Sequence, residues 1–264
     1  MTLVPTSIEE LFGLRGKVGI VTGASSGLGI EFADALACAG ADLALLARRG
    51  DRLATVAAGL RARYGVRVLP IEVDITDREA TAAAFARVRS DLGPAWILVN
   101  NAGLAPTGRA EKQWPEDWDR TVSLNMTAVF HCCLLAAAQM KEAGAGGRIL
   151  NVTSIFGRLG SSLFRVASYA ASKGGAENLT RQLAVEWARD GITVNAIAPS
   201  WFPSEMTHES LVRGSIEERM ASGNPMGRIG AEGELRTACL FLASPASSYI
   251  TGAVVPVDGG YTAW

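Results

Sequence analysis

Tyr169 and Lys173 are separated by three residues, a spacing that puts a phenol and an ammonium one turn apart on one helix face. An isolated tyrosine has a pKa of about 10 and is a poor base at neutral pH. A nearby cation favours the phenolate and draws that value down, so the pair is suited to exchange a proton with a carbonyl or alcohol oxygen. Ser154 follows an aliphatic run and is placed to hydrogen-bond and orient the same oxygen. Asn125 lies in a long apolar stretch, where a buried amide needs partners; it is suited to hold a water between Lys173 and solvent. Each has a plainer reading. Ser154 would serve as a strand-end cap, Asn125 as a satisfied helix polar group, and Tyr169 with Lys173 as a half-exposed surface pair.

A second group of residues has the spacing of an anion cradle. Thr22-Gly23-Ala24-Ser25-Ser26-Gly27-Leu28-Gly29 follows the first aliphatic run and opens an alanine-rich helix. Gly23 permits a tight turn, Gly27 lets a diphosphate approach the backbone, and Gly29 lets the helix pack close to the strand. The free N–H groups of the helix N-terminus then face the anion, which points to a dinucleotide. The second run ends Leu45-Leu46-Ala47-Arg48-Arg49. An NAD-preferring site usually has an acid there for the ribose hydroxyls. The Arg48 guanidinium instead suits a 2′-phosphate, to which Ser25 can add a hydroxyl, so NADP(H) is preferred and NAD(H) remains possible. Arg49 reads as a solvated residue at a helix start, and Arg48 has that reading too. Asp74, ending the third run, suits an adenine amino group or, equally, a helix start without ligand.

These residues need a frame. Short aliphatic runs recur at 17–22, 42–46, 67–73, 96–100, 148–152, 193–198 and 253–257, nearly all apolar, as suits strands buried on both faces of a parallel sheet. Helical patterns lie between them at 30–39, 51–64, 76–88, 118–141, 169–189 and 232–242. The helix at 76 opens with Thr76 and Glu79 at capping-box spacing. Such alternation predicts an α/β, Rossmann-like doubly wound parallel sheet with helices on both faces. No linker divides the chain, so residues 1–264 read as one domain. The least regular stretch, about 200–230, follows a strand end and reads as a substrate loop.

The chain has 264 residues and a formal net charge of −1, which argues against nucleic acid or a membrane surface as partner. The start of the sequence lacks the pattern of a signal peptide, and the uncharged run 121–140 holds too many polar groups for a membrane span; a cytoplasmic protein is expected. Cys38, Cys132, Cys133 and Cys239 form no C-x-x-C pair, so neither a disulfide framework nor a metal site is expected, only reduced and buried thiols.

With Thr22-Gly23-x-x-x-Gly27-x-Gly29, Asn100-Asn101-Ala102-Gly103, Asn125, Ser154, Tyr169-x-x-x-Lys173, and Pro199 with Ser204, the chain resembles the short-chain dehydrogenase/reductase family over nearly its full length, in its 3-oxoacyl-carrier-protein reductase-like or gluconate dehydrogenase-like branch. The resemblance implies about seven parallel strands and an Asn125–Ser154–Tyr169–Lys173 catalytic tetrad. It also implies cofactor contacts from Gly23, Ser25, Ser26, Gly27, Leu28, Gly29, Arg48, Asp74, Ile75, Asn101, Ala102, Gly103, Tyr169, Lys173, Pro199, Phe202 and Ser204. Ser204 stands where family members bind the nicotinamide carboxamide through a threonine. Ser200 departs from the family's usual glycine, and residues 158–168 form a slightly longer segment. A homotetramer is implied, its subunits paired through the helices at 118–141 and 169–189. The small-molecule substrate is less defined. Leu104, Phe156, Phe164, Trp201, Phe202 and Met206 outline a wall that favours a hydrophobic or aromatic ketone or secondary alcohol. The alternatives are a 3-oxoacyl-carrier-protein, met by Arg158 and Arg165, a sugar or sugar acid, and a non-catalytic, cofactor-binding regulator.

Overall fold

In the computed structural model, which describes residues 7–161, 163–205 and 215–263, seven parallel strands form one sheet in the order β3-β2-β1-β4-β5-β6-β7. The strands are β1 (Val18–Thr22), β2 (Asp42–Ala47), β3 (Val68–Glu72), β4 (Ala95–Asn100), β5 (Gly147–Val152), β6 (Ile192–Pro199) and β7 (Val254–Val257). Every residue of β1, β4, β5 and β6 is buried, as the unbroken apolar runs predict for strands covered on both faces. Strand order reverses between β1 and β4, which opens a crevice at the carboxyl edge.

The helices are α1 (Ile8–Phe12), α2 (Leu28–Cys38), α3 (Gly50–Tyr64), α4 (Arg78–Asp91), α5 (Pro115–Val122), α6 (Val129–Ala143), α7 (Ala167–Trp187), α8 (Ser215–Ser222) and α9 (Leu235–Ala243). Alternate strand residues feed opposite layers. Val21, Leu43 and Leu45 pack with Phe32, Leu36, Leu53 and Leu242 from α2, α3 and α9. Ile20, Ala44 and Leu46 pack with Phe85, Val129, Met140 and Leu183 from α4, α6 and α7. A smaller third cluster, Ile155, Phe156, Val166, Trp201 and Met220, lies apart from both layers.

Three local differences from the sequence reading have physical causes. The helix expected at 118–141 starts at Pro115 and is interrupted by a π-helical turn, Ser123–Ala128, which contains Asn125. Such turns change only the hydrogen-bond register, so hydrophobic spacing does not reveal them. The expected cap at Thr76 is displaced by one residue. Thr76 donates its N–H and hydroxyl to Asp74 Oδ1 at 3.0 and 2.7 Å, and Asp77 caps α4 by accepting from Ala80 N. The last crossover helix starts at Leu235 rather than 232, because Glu234 accepts from Ala231 N and pairs with Arg228 while Gly233 N–H is drawn to Glu31. The combined segment Pro115–Ala143 is long and apolar enough to cross a membrane, yet α6 lays Val129, Cys132, Cys133, Ala136 and Met140 into the core beneath the sheet.

Three of the four cysteines are buried. Desolvation pushes the thiols of Cys132 and Cys239 up to about 12, and Cys133 higher still. Cys38, expected to be buried, is exposed at the last residue of α2.

Candidate active site

A cleft of about 780 Å³ runs along the carboxyl ends of the strands, from Asp74 and Ile75 past the glycine loop to Ser154 and Tyr169. The loop is built for backbone approach. Gly27 has φ 53° and ψ −136°, a region that a side chain would strain. A Cβ on Gly29 would lie 2.3 Å from the Gly23 carbonyl oxygen. With these positions bare, α2 begins at Leu28 and turns its first N–H groups towards the cleft.

Thr22, one residue before Gly23, ties β1 to β4. Its hydroxyl accepts from Asn101 N and Ala102 N at 3.0 and 3.1 Å, and Asn101 Nδ2 donates to the Thr22 and Gly23 carbonyls. Asn101, Ala102 and Gly103 thus form one wall of the cleft beside the loop. Asp74 also lines it. Burial would raise that carboxyl, but hydrogen bonds from Thr76 and the Arg48 charge, 4.0 Å away, hold it below the usual carboxylate range.

Arg48 and Arg49 both line the cleft beside the glycine loop. Arg48 is largely exposed, and among the described residues it reaches towards Asp74. Arg49, read as a solvated helix-start residue, instead bends over the glycine loop. Its Nε and Nη2 donate to Ser25 Oγ at 3.2 and 3.1 Å, and Nη2 donates to Ser26 Oγ at 2.7 Å. Its Nη1 lies 2.8 Å from Glu205 Oε2, and Arg52 pairs with the same carboxylate. All of these except Arg52 line the cleft.

At the other end, Ser154, Tyr169 and Lys173 converge. Ser154 is buried, and its Oγ accepts from Phe156 N at 3.2 Å, so it caps a short 3-10 turn, Ile155–Gly157, while facing the cleft. Tyr169 and Lys173 both belong to α7 and line the cleft. Lys173 Nζ donates to the Val152 carbonyl at 2.7 Å and sits 5.6 Å from the centre of the Tyr169 ring. Desolvation lowers the lysine to about 8. Burial also raises the Tyr169 phenol, and its hydrogen bond with Ser154 only partly counters this. The lowering expected from the lysine does not appear: burial sets the direction of the Tyr169 shift, and the opposing influence comes from Ser154.

Asn125 is held by three hydrogen bonds to two residues. Its Oδ1 accepts from Leu104 N at 3.0 Å, and its Nδ2 donates to Leu104 O and Ser172 Oγ at 2.9 and 3.0 Å. A Cβ on Gly103 would lie 3.3 Å from Asn125 Oδ1 and 3.5 Å from Lys173 Nζ, so the bare glycine keeps the space between them open.

Pro199 ends β6, and Ser200, Trp201, Phe202 and Ser204 continue from it along the cleft, with Ser204 against Gly27. Trp201 packs edge-on to Phe156 at 5.3 Å and against Phe164 at 4.8 Å, making an aromatic wall with Val166 and Met220. Met206, expected in that wall, lies outside the described residues. Arg158 donates to Glu177 and to the Val254 carbonyl, so it is already engaged within the fold. Sequence reasoning missed Thr22 as a strap and Arg49 with Glu205. Thr22 carried a signal in its adjacency to Gly23; Glu205, 156 residues from Arg49, carried none.

The residues fit a dinucleotide. A Cβ-free cradle meets a helix N-terminus, basic groups lie at one end, and a proton-exchanging pair lies at the other. A family model described as Enoyl-(Acyl carrier protein) reductase matches residues 23–262. The chain is 40% identical to galactitol 2-dehydrogenase (L-tagatose-forming) of Cereibacter sphaeroides, across 97% of this chain and 99% of that protein. It is 38% identical to cis-4-hydroxycyclohexanecarboxylate dehydrogenase of Sinomonas cyclohexanicum, across 94% and 97%. A gluconate 5-dehydrogenase from Burkholderia cenocepacia J2315, solved in complex with NADP and tartrate, superposes with a TM-score of 0.92 at 31% identity, covering 98% of this chain and 100% of that one. Sheet order, cleft and relatives agree: the chain belongs to the short-chain dehydrogenase/reductase family and is an oxidoreductase acting on secondary alcohols or ketones.

Proposed function

We propose that this enzyme uses NADP(H) in preference to NAD(H) and acts on a ketone or secondary alcohol with an apolar, ring-like body. The observation that carries the substrate class is the Phe156–Trp201–Phe164 wall, in the same cleft as Ser154 and Tyr169. Desolvated aromatic faces favour apolar rings over polyols, whose hydroxyls would need partners there. The relative named for a hydroxycyclohexanecarboxylate fits that choice. The preference for NADP(H) rests on Arg48, Arg49, Ser25 and Ser26 at the end of β2 and the glycine loop, and the NADP bound to a similar protein supports it.

A dinucleotide held by the glycine loop, Asn101 and Lys173 would supply or accept the hydride. Ser154 donates a hydrogen bond to the substrate oxygen and holds it towards Tyr169. In reduction the Tyr169 phenol gives its proton to that oxygen; in oxidation it takes the alcohol proton. Lys173, fixed by the Val152 carbonyl, supplies positive charge beneath the phenol. Asn125 and Gly103 define a polar space beside Lys173 through which a water can pass the proton outwards. Ser204, which lines the cleft against Gly27, would hold the carboxamide of a bound nicotinamide, and the described residues that follow β6 along the cleft would face the substrate. The active unit is a homotetramer, consistent with outward apolar residues on α6 and α7.

A second reading, a sugar or sugar-acid dehydrogenase, is favoured by the galactitol 2-dehydrogenase relative. A panel of cyclic and aromatic ketones, keto-sugars and 3-oxoacyl thioesters, each with NADPH and NADH, separates the two. Cyclic ketones should be reduced with the highest kcat/KM. Selective turnover of keto-sugars would overturn the substrate class. Tyr169→Phe should lower kcat by about 10²- to 10⁴-fold with cofactor affinity nearly kept; wild-type turnover in that variant would remove the mechanism.

A further inference from the structure

We infer that Glu205 is an internal anion that occupies the 2′-phosphate seat of the cleft, so that this carboxylate sets how strongly the enzyme discriminates NADP(H) from NAD(H). The inference rests on the proposed use of NADP(H). The seat is defined by donors. Arg49 gathers Ser25 and Ser26 of the glycine loop beneath its guanidinium, at the carboxyl end of β2 where a 2′-phosphate is bound in this fold. Glu205, from the segment after β6, closes the same group. Its carboxylate meets Arg49 Nη1 at 2.8 Å, pairs with Arg52, and hydrogen-bonds Ser26.

A carboxylate on two guanidiniums and a serine hydroxyl makes the contacts that a phosphate dianion would make. These hydrogen bonds hold the Glu205 carboxyl at about 2, so it is charged at any working pH. The cofactor's 2′-phosphate must therefore displace Glu205 or bind beside its charge. An unphosphorylated ribose meets neither demand. Glu205 also follows Ser204, which packs against Gly27, so displacing it acts on the first residues of the substrate loop.

The test is a fluorescence titration of NADPH and NADH, with 2′,5′-ADP by competition, on wild type, Glu205→Gln, Glu205→Ala and Arg49→Ala. Glu205 is half-exposed, so both of its variants should fold. Removing a like charge at contact range should tighten NADPH and 2′,5′-ADP by about five- to tenfold, with NADH unchanged. The gain should shrink in high salt, where exposed charges are screened. If both cofactors change by the same factor, or neither changes, the inference is overturned. Arg49→Ala reports on the underlying reading separately: it should weaken NADPH far more than NADH, and an equal loss would mean that the seat reads no phosphate.

Discussion

Lys173 is placed for chemistry at the expense of stability. Its ammonium is almost wholly removed from water, which lowers its pKa from 10.5 to about 8. At about 1.36 kcal/mol per pKa unit, holding it charged costs about 3 kcal/mol. Lys173→Met should remove that cost and leave the Val152 carbonyl unpaired, worth about 1 kcal/mol. The inactive variant should therefore be about 2 kcal/mol more stable at pH 7, read by denaturant unfolding. Between about 8 and 10.5 the unfolded wild type keeps a proton that the folded wild type has released. Wild-type stability then rises with pH, so the variant's advantage should be full below about 8 and fade across that window. A variant less stable than wild type at pH 7 would contradict this account. At this scale the candidate site was legible where residues were neighbours in sequence, as in Tyr169-x-x-x-Lys173. The roles of Arg49 and Glu205 were not, because their partners come from distant segments.

Among the elements, the glycine loop shows why two glycines in similar-looking helices differ. Gly29, in the first turn of α2, has no room: a Cβ would meet the Gly23 carbonyl at 2.3 Å and Asn101 Nδ2 at 2.7 Å. Gly59, in the middle of α3, faces solvent with nothing within 4 Å. Gly29→Ala should lose about 1–3 kcal/mol and weaken cofactor binding at least about tenfold. Gly59→Ala should gain about 0.4–1 kcal/mol with unchanged binding. Thermal melts and NADPH titration check both, and equal behaviour of the two variants would contradict the packing argument. Strands and crossover order were readable because buried parallel strands leave continuous apolar runs. The π-helical turn around Asn125 and the shift of the α4 cap to Asp77 were not, because the first is a change of hydrogen-bond register and the second a single side-chain bond, and neither alters the periodicity.

At the scale of the molecule, Phe130 and Leu134 on α6 and Val185 on α7 are 42%, 43% and 77% exposed in the single chain. These are the helices proposed to pair subunits. Leu134→Glu with Val185→Glu should break the tetramer, as measured by light scattering, and a wild type that is monomeric throughout would refute the assembly. The same fold gives the chain a built-in reporter of its own opening. One thiol is outside and three are sealed in opposite layers, each far too protonated to react while covered. An alkylating probe followed by mass spectrometry should thus add one label within minutes, at Cys38. The next labels should arrive at the pace of unfolding, with Cys239 dating exposure of the layer under α9, and Cys132 with Cys133 dating exposure of the layer under α6.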